Sequence, residues 1–370
     1  MNYNIKKVIF EINNFSLYTK KIIGLDILVY LNSTDIKNYK ISNYIGKGAT
    51  GQVYLIQDKI TLIKYVIKIS NSKCLEDLIE EVTLIEKYFR KNNITHPSYP
   101  IYYGLFKNLE SYGIIYPYFG FYNLEKIKTI DYKIDFTNNK KIIIQLIDQL
   151  INLKNILHCD LKSSNVVIDI RNNDYVVTII DFGLIQESIT KNVIVSTNYI
   201  MSPESLLLIK DFLEYTDFQN TIIKFDKHDY FGLFSIIINL FTKKTFWFII
   251  SKYLVDIGFN HDFLYKQNAM YIFVYMWYKF SYRQITDINK RYLVNLIEKI
   301  EIKYPQLTTK KYNFMSYNDF FTKYIDLYID YDSISREKIE DFKFFTKSII
   351  EFDYSVRPDL EELKIHSFLQ

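Results

Sequence analysis

Cysteine is almost missing from this chain of 370 residues: only Cys74 and Cys159 occur. That excludes a disulfide framework and any Cys/His metal-ligand spacing, and it points to a reducing, intracellular setting. Glycine and proline are sparse too, at 10 and 6 residues, and neither an internal repeat nor a low-complexity linker interrupts the chain. No strong charge of one sign is present; a formal net charge of +4 is slight for this length and argues for neither nucleic acid nor a membrane surface as partner. Long hydrophobic runs are lacking as well. The N-terminus has no signal core, and the longest apolar stretches, 234–241 and 269–278, fall well short of a bilayer span and read as core helices. What remains is 49% hydrophobic and 17% aromatic residues, enough for real cores and too many for general disorder. The length suits two domains better than one.

Residues 1–38 form a mixed polar and apolar leader without a motif. From Tyr39 the pattern alternates as strands do, at 39–45, 52–57 and 62–69, with a turn expected at Asp58-Lys59. Leu75, Leu78, Ile79, Val82, Ile85 and Phe89 then recur at helical spacing. Two more strands fit 101–106 and 113–118. After about Gly120 the character turns helical: a helix is expected over 142–153, short strands over 166–170 and 176–180 flank a polar turn, and everything beyond Asp229 reads helical. A small β-rich part followed by a larger α-rich part is the expected α+β organisation.

Residues 158–165 read His-Cys-Asp-Leu-Lys-Ser-Ser-Asn, and 181–183 read Asp-Phe-Gly. They place an acid, a lysine, an asparagine and a second acid on two neighbouring loops, the residue set needed to move a phosphoryl group from a magnesium nucleotide. Taken singly, Asp160 could cap a turn, Asn165 could close a loop and Asp-Phe-Gly could be an ordinary turn. Far upstream, Gly46, Lys47, Gly48, Gly51 and Val53 fit G-x-G-x-x-G-x-V. Glycines let a backbone curl over phosphates, because no Cβ blocks the approach. A dinucleotide-binding fold would need these glycines to open a helix; here Val53-Tyr54-Leu55-Ile56 continues as a strand, which favours a strand–loop–strand flap. Lys68 and Lys64 both lie on the third strand of the set. Lys68 is preferred because it shares the inward phase with Val66.

The octet and triplet, in this order and spacing, resemble the catalytic and metal-binding loops of the eukaryotic-type protein kinase family, and the resemblance runs from about Tyr39 to the C-terminus. It implies a bilobal kinase-like fold: an N-terminal extension over 1–38, a small β-rich lobe with one key helix over 39–118, and a larger helical lobe over 119–370. It also implies ATP and magnesium. Asp160 would be the catalytic base, Lys162 would steady the transferring phosphate, and Asn165 and Asp181 would hold the metal ions. Lys68 would bind phosphates and pair with a glutamate of the following helix. Glu81 is chosen over Glu80 for its apolar neighbours Leu84 and Ile85. The adenine-contacting hinge falls at 117–119, with Tyr118 in it and Tyr116 guarding the pocket behind. His158 is implied to pack and anchor rather than react.

Ser202-Pro203-Glu204 resembles the end of the activation segment, and Thr197 matches the threonine of serine/threonine kinases, so serine and threonine hydroxyls of proteins are the implied acceptors. Asp229 resembles the aspartate that anchors the catalytic-loop backbone, and Arg357 the late arginine that pairs with Glu204. Phe234 stands where the family has glycine. Cys159 replaces the arginine that usually grips a phosphorylated activation segment, which implies an enzyme that is constitutively competent or partner-regulated. The link into the octet is shorter than usual, and the stretch from Asp229 to Arg357 is unusually long. An aromatic-rich insertion over 245–335 therefore reads as added core, with docking as its other use. A nucleotide-binding scaffold without transfer is the alternative; a small-molecule phosphotransferase is disfavoured by the Ser-Pro-Glu segment and Arg357. Rich Ile, Asn, Lys and Tyr usage looks like an AT-rich genome, as in some protists and large DNA viruses. A cytoplasmic location, the host's if the chain is viral, is the expectation.

Overall fold

In the computed structural model the alternating segments form strands and the periodic ones form helices. It describes residues 6–12, 23, 26–30, 36–47, 51–70, 75–106, 111–120, 122–126, 134–171, 174–188, 202, 227–260, 272–273, 275–276, 294, 297–309, 312, 314–330, 334–351 and 354–370. The chain divides into two units: Met1–Tyr122 with Val167–Asp169 and Thr178–Ile185, and Asn123–Val166 with Ile170–Val177 and Gln186–Gln370.

In the first unit β1 (Lys6–Ile12), β2 (Asp26–Tyr30), β3 (Ile36–Lys47), β4 (Gln52–Asp58), β5 (Lys64–Ile69), β6 (Tyr102–Phe106) and β7 (Ser111–Pro117) close into a barrel. The order around it is β1-β2-β3-β4-β5-β7-β6, antiparallel throughout except where β1 meets β6 in parallel. The motif-free leader thus supplies two strands, and those strands cover both edges that β3 and β6 would otherwise expose. The inside is a buried cluster of Ile27, Val29, Tyr39, Ile41, Tyr54, Ile56, Ile67, Ile69 and Ile115. These residues lie two apart along each strand, so the residues between them, Val66 and Lys68 included, face the other side of the sheet. The expected strand at 62–69 starts later, at Lys64. The Asp58 carboxylate accepts from the N–H groups of Ile60 and Thr61 at 2.8 and 2.9 Å, and Leu62 turns with φ 59°, which prolongs the turn.

Helix α1 (Leu75–Lys91) carries acids in its first turn and bases in its last, which suits the helix dipole. It buries Leu78, Val82, Ile85 and Phe89, while Ile79 is exposed.

The second unit is helical. α2 (Phe136–Leu153) begins earlier than the periodicity suggests, because Asp135 accepts from the N–H of Asn138 at 2.7 Å and caps it. It ends at Lys154, whose φ of 58° turns the chain at once into β9 (Ile156–Leu157); this is how the link to the octet stays short. A two-residue strand, β8 (Tyr122–Asn123), precedes α2, and β10 (Val166–Arg171) and β11 (Asp174–Ile179) follow β9. β12 (Gln186–Glu187) pairs antiparallel with β9.

α3 (Asp229–Thr242) is buried on every side but one residue, as a helix apolar all round must be. Among the described residues no single helix is long and apolar enough to cross a membrane. Phe234 finds its room beside α4 (Phe246–Asp256), packing edge-on against Phe246 with ring centroids 4.6 Å apart. Phe320 lies 5.3 Å from Tyr253 and 5.8 Å from Phe273, so these aromatic residues of 245–335 build core. Two later helices, α5 (Ile339–Ile349) and α6 (Leu360–Lys364), precede Phe368, which packs on Phe136, Phe241 and Phe345.

Candidate active site

In the first unit, β-sheet register brings several of the expected residues together. Gly46 pairs with Val53 and Lys47 with Gln52 where β3 and β4 approach their loop. A Cβ on Gly46 would meet nothing within 4 Å, whereas one on Gly51 would lie 2.4 Å from the carbonyl oxygen of Ile69. Gly51 is thus required by the close approach of β5, a tighter demand than loop flexibility. Gly48 lies outside the described residues. Across the sheet Val53 pairs with Lys68, and Lys68 with Ile114.

Lys68 and not Lys64 meets an acid. Its ammonium lies 2.6 Å from Glu81 Oε2 and 3.6 Å from Asp181 Oδ1. Lys64 is exposed, with its ammonium 6.0 Å from the centre of the Tyr118 ring. Glu81 is buried on α1 while Glu80 is exposed, which settles which of the two faces the lysine. The other Glu81 oxygen accepts from the Tyr116 hydroxyl at 2.5 Å. Burial works against charging Lys68, yet Glu81 and Asp181 outweigh it and hold the ammonium's pKa above its ordinary value. Burial pushes the Glu81 carboxyl up, against the pull of Lys68. One ammonium shared by two carboxylates leaves a surplus negative charge here. Asp181 itself sits at φ 68°, a left-handed conformation that aspartate tolerates better than most residues. Its neighbour Phe182 is locked edge-on against Phe89 of α1 at 5.1 Å and His96 at 4.8 Å.

In the second unit, one loop holds the remaining expected residues. Asp160 Oδ2 accepts from Lys162 Nζ at 2.6 Å and from Asn165 Nδ2 at 3.0 Å. The same Asn165 nitrogen also donates to the Asp160 carbonyl at 2.9 Å, which closes the loop on itself. Beneath it the Asp229 carboxylate accepts from the backbone N–H of His158 at 2.7 Å and of Cys159 at 2.9 Å. Those two bonds hold Cys159 at φ 63°, where a non-glycine residue needs support. His158 Nδ1 accepts from the Asp160 N–H at 3.2 Å, a backbone-anchoring role. Burial, with Asp229 and Asp160 nearby, raises the Cys159 thiol well above its ordinary pKa, so it stays neutral.

Two supports of this loop escape the motif. Gly232 of α3 lets the helix touch it, since a Cβ there would sit 2.3 Å from the Leu161 carbonyl oxygen. Asn239, buried about two turns further along the same face of α3, accepts from Ser163 Oγ at 3.0 Å. The available signal was a lone glycine and a lone amide inside an otherwise apolar helix. Arg357 is buried, donates to the Glu351 carbonyl at 2.6 Å and lies 5.2 Å from the Phe231 ring centre. Its expected partner Glu204 lies outside the described residues, as do Thr197 and Pro203; Ser202 is buried. At the end of β7, Tyr118 is half-buried, and burial followed by Asp169 and Tyr122 raises its phenol's pKa. Gly120 follows with φ 143°, and a Cβ there would lie 2.4 Å from the Ile168 carbonyl oxygen.

Each unit by itself offers an oxygen donor of the kind a magnesium nucleotide takes. Magnesium takes oxygen ligands, keeps several waters and needs only one or two protein groups beside phosphates. Asn165 spends its nitrogen on Asp160, which leaves Oδ1 as an oxygen donor. The Asp181 side chain is 45% exposed and so open to a cation. Among the described residues no group of three His, Cys, Asp or Glu forms a self-sufficient metal cage.

The chain is similar to known protein kinases. Calcium-dependent protein kinase 4 of Plasmodium falciparum is 28% identical over 152 residues, covering 40% of this chain and 29% of that protein. The Aurora kinase of Yarrowia lipolytica is 28% identical over 164 residues, covering 40% of this chain and 42% of the relative. The matches thus span less than half the length of these relatives. The crystal structure of a kinase domain superposes with a TM-score of 0.56 at 20% identity, over 90% of this chain and 95% of that one, which establishes a kinase-like fold. The protein kinase domain model matches residues 39–369. This chain belongs to the protein kinase domain family.

Proposed function

We propose that the chain is an active serine/threonine protein kinase that moves the γ-phosphoryl group of Mg-ATP to serine and threonine hydroxyls of proteins. In this reading 39–118 is the small catalytic lobe and 119–370 the large one, with ATP held by Gly46, Lys47, Gly48, Gly51, Val53, Lys68, Tyr116 and Tyr118. The observation that carries it is the Asp160 carboxylate, fixed by Lys162 and Asn165 on a loop pinned to Asp229. Bound Mg-ATP supplies the phosphoryl group and the divalent charge. Asp160 orients the acceptor hydroxyl and takes its proton as the new O–P bond forms and the bond to the leaving diphosphate oxygen breaks. Lys162 neutralises charge on the transferring group, Lys68 positions the phosphates, and Asn165 and Asp181 offer oxygens to the ions. The protein's share is positioning and charge neutralisation rather than covalent chemistry.

Switching by activation-segment phosphorylation has no support at Cys159, a buried neutral thiol where an arginine would grip the phosphate. Constitutive or partner-driven activity follows. Docking within 245–335 would fall to exposed apolar residues there, such as Phe248, Ile302 and Leu327.

The deciding experiment offers the purified chain labelled ATP, magnesium and peptides bearing serine, threonine or tyrosine. Transfer to serine and threonine, unchanged after phosphatase treatment of the enzyme, is expected. Nucleotide-dependent thermal stabilisation without transfer would instead make the chain a nucleotide-binding scaffold.

A further inference from the structure

Tyr116 has a partner that its sequence position did not suggest. The register sets Tyr116 opposite Val66 and Ile114 opposite Lys68, so Tyr116 and Lys68 project from one face of the sheet. Glu81 of α1 reaches that face. Its Oε2 meets the Lys68 ammonium at 2.6 Å, and its Oε1 receives the Tyr116 hydroxyl at 2.5 Å. One carboxylate is therefore gripped from two strands, by a cation on β5 and by a neutral phenol on β7.

The two grips differ in kind. Lys68 is shared, because Asp181 competes for it at 3.6 Å; nucleotide phosphates would compete for it too. The phenol answers to Glu81 through a hydrogen bond to an acceptor that is buried on α1. Burial and the Glu81 carboxylate raise its pKa well above 10, so it remains a donor. Bonds of this type, neutral donor to charged acceptor in a poorly solvated place, are among the stronger ones.

We propose that Tyr116 is a positioning residue, latching α1 to β7 through Glu81 so that Lys68 stays aimed at the phosphates while its own charge is drawn elsewhere. This rests on the kinase reading above and adds to it a device for holding α1 that needs no phosphorylated segment.

A double-mutant cycle on the full chain tests it: wild type, Tyr116→Phe, Glu81→Ala and the double variant. Tyr116→Phe keeps the ring and removes only the hydroxyl. Its kcat is expected to fall by roughly ten- to a hundredfold, the size of a lost hydrogen bond to a charged group, while KM for ATP moves less than about threefold. Hydrogen exchange of α1 amides, measured without nucleotide, should quicken in parallel. In the Glu81→Ala background the same substitution should change neither quantity further. Additive effects in the two backgrounds would mean that the hydroxyl acts independently of Glu81, and the latch would be wrong. Wild-type kcat and exchange in Tyr116→Phe would overturn it equally. A wild-type chain that transfers no phosphate sinks the kinase reading alone, because the exchange measurements still decide the latch.

Discussion

Lys68 and Glu81 meet across 13 positions of sequence and Tyr116 reaches Glu81 across 35, whereas Asp160 and Asn165 are only 5 apart. The first unit assembles its charges from separate strands and a helix, and holds them by ion pairing in a place largely shielded from solvent. The second unit takes its polar residues from a single loop and holds them by backbone hydrogen bonds to one carboxylate. A local cluster keeps its geometry as long as its anchor stays. A dispersed one keeps its geometry only while the whole sheet is in register. The two units should therefore fail differently, and perturbing them separately exposes the difference.

Deleting residues 1–35 is the harshest test of the dispersed cluster. It removes β1 and β2 and with them the fully buried Ile27 and Val29, at a cost of about 3–6 kcal/mol from lost burial alone. Amide exchange should rise through β3, β6 and α1 while α2 and α3 keep their protection. Equal loss in all helices would show that the two units unfold as one. Asp160→Asn, by contrast, keeps the fold and strikes only the local cluster. Turnover is expected to drop on the order of 10²–10⁴-fold with nucleotide-induced thermal stabilisation retained; near-normal turnover would remove Asp160 from the chemistry.

Asp229→Asn sharpens the anchor argument with a smaller change. One of the two buried N–H groups, of His158 or Cys159, loses its carboxylate acceptor, which costs about 1–3 kcal/mol in chemical denaturation. Exchange in α1 should not change, and if it does, the units are coupled. The mildest probe lies away from both. His366 is partly buried beside Phe345, and burial lowers its pKa below 6.5 despite Asp341 nearby. A depressed folded-state pKa means that the unfolded chain takes up the proton first. The stability contributed is therefore present above pH 6.5 and fades as the pH falls through the folded value. Between pH 7 and 5 a loss under about 1 kcal/mol is expected, and His366→Gln should flatten that part of the profile.

The contrast also explains what could be read in advance. The octet was legible because its members sit within one short loop, where spacing in sequence nearly equals spacing in space. Lys68 was only partly legible: strand phase puts Lys64, Val66 and Lys68 together on the face opposite Ile67 and Ile69 of the barrel interior, and the ion pair with Glu81 is what singles out Lys68. Glu81 against Glu80 was a harder choice, and only the burial of one and exposure of the other decides it. The leader gave no signal at all. β1 and β2 are short strands whose value lies in partners far along the chain, β6 among them, and no local pattern encodes a parallel pairing with residues 102–106. Phe234 looked too large for its place until α4 supplied Phe246 as its neighbour.

Sequence by itself determined the family, the α+β order of elements, and the residue types that a phosphoryl transfer needs, since these follow from motif spacing and hydrophobic period. Tertiary structure alone decided that the leader closes a barrel, that Tyr116 grips Glu81, and that Gly232 and Asn239 hold up the 158–165 loop. The physical reason is distance along the chain. Contacts between residues many positions apart depend on the register of strands and the packing of helices, and a linear pattern records each partner without recording the meeting.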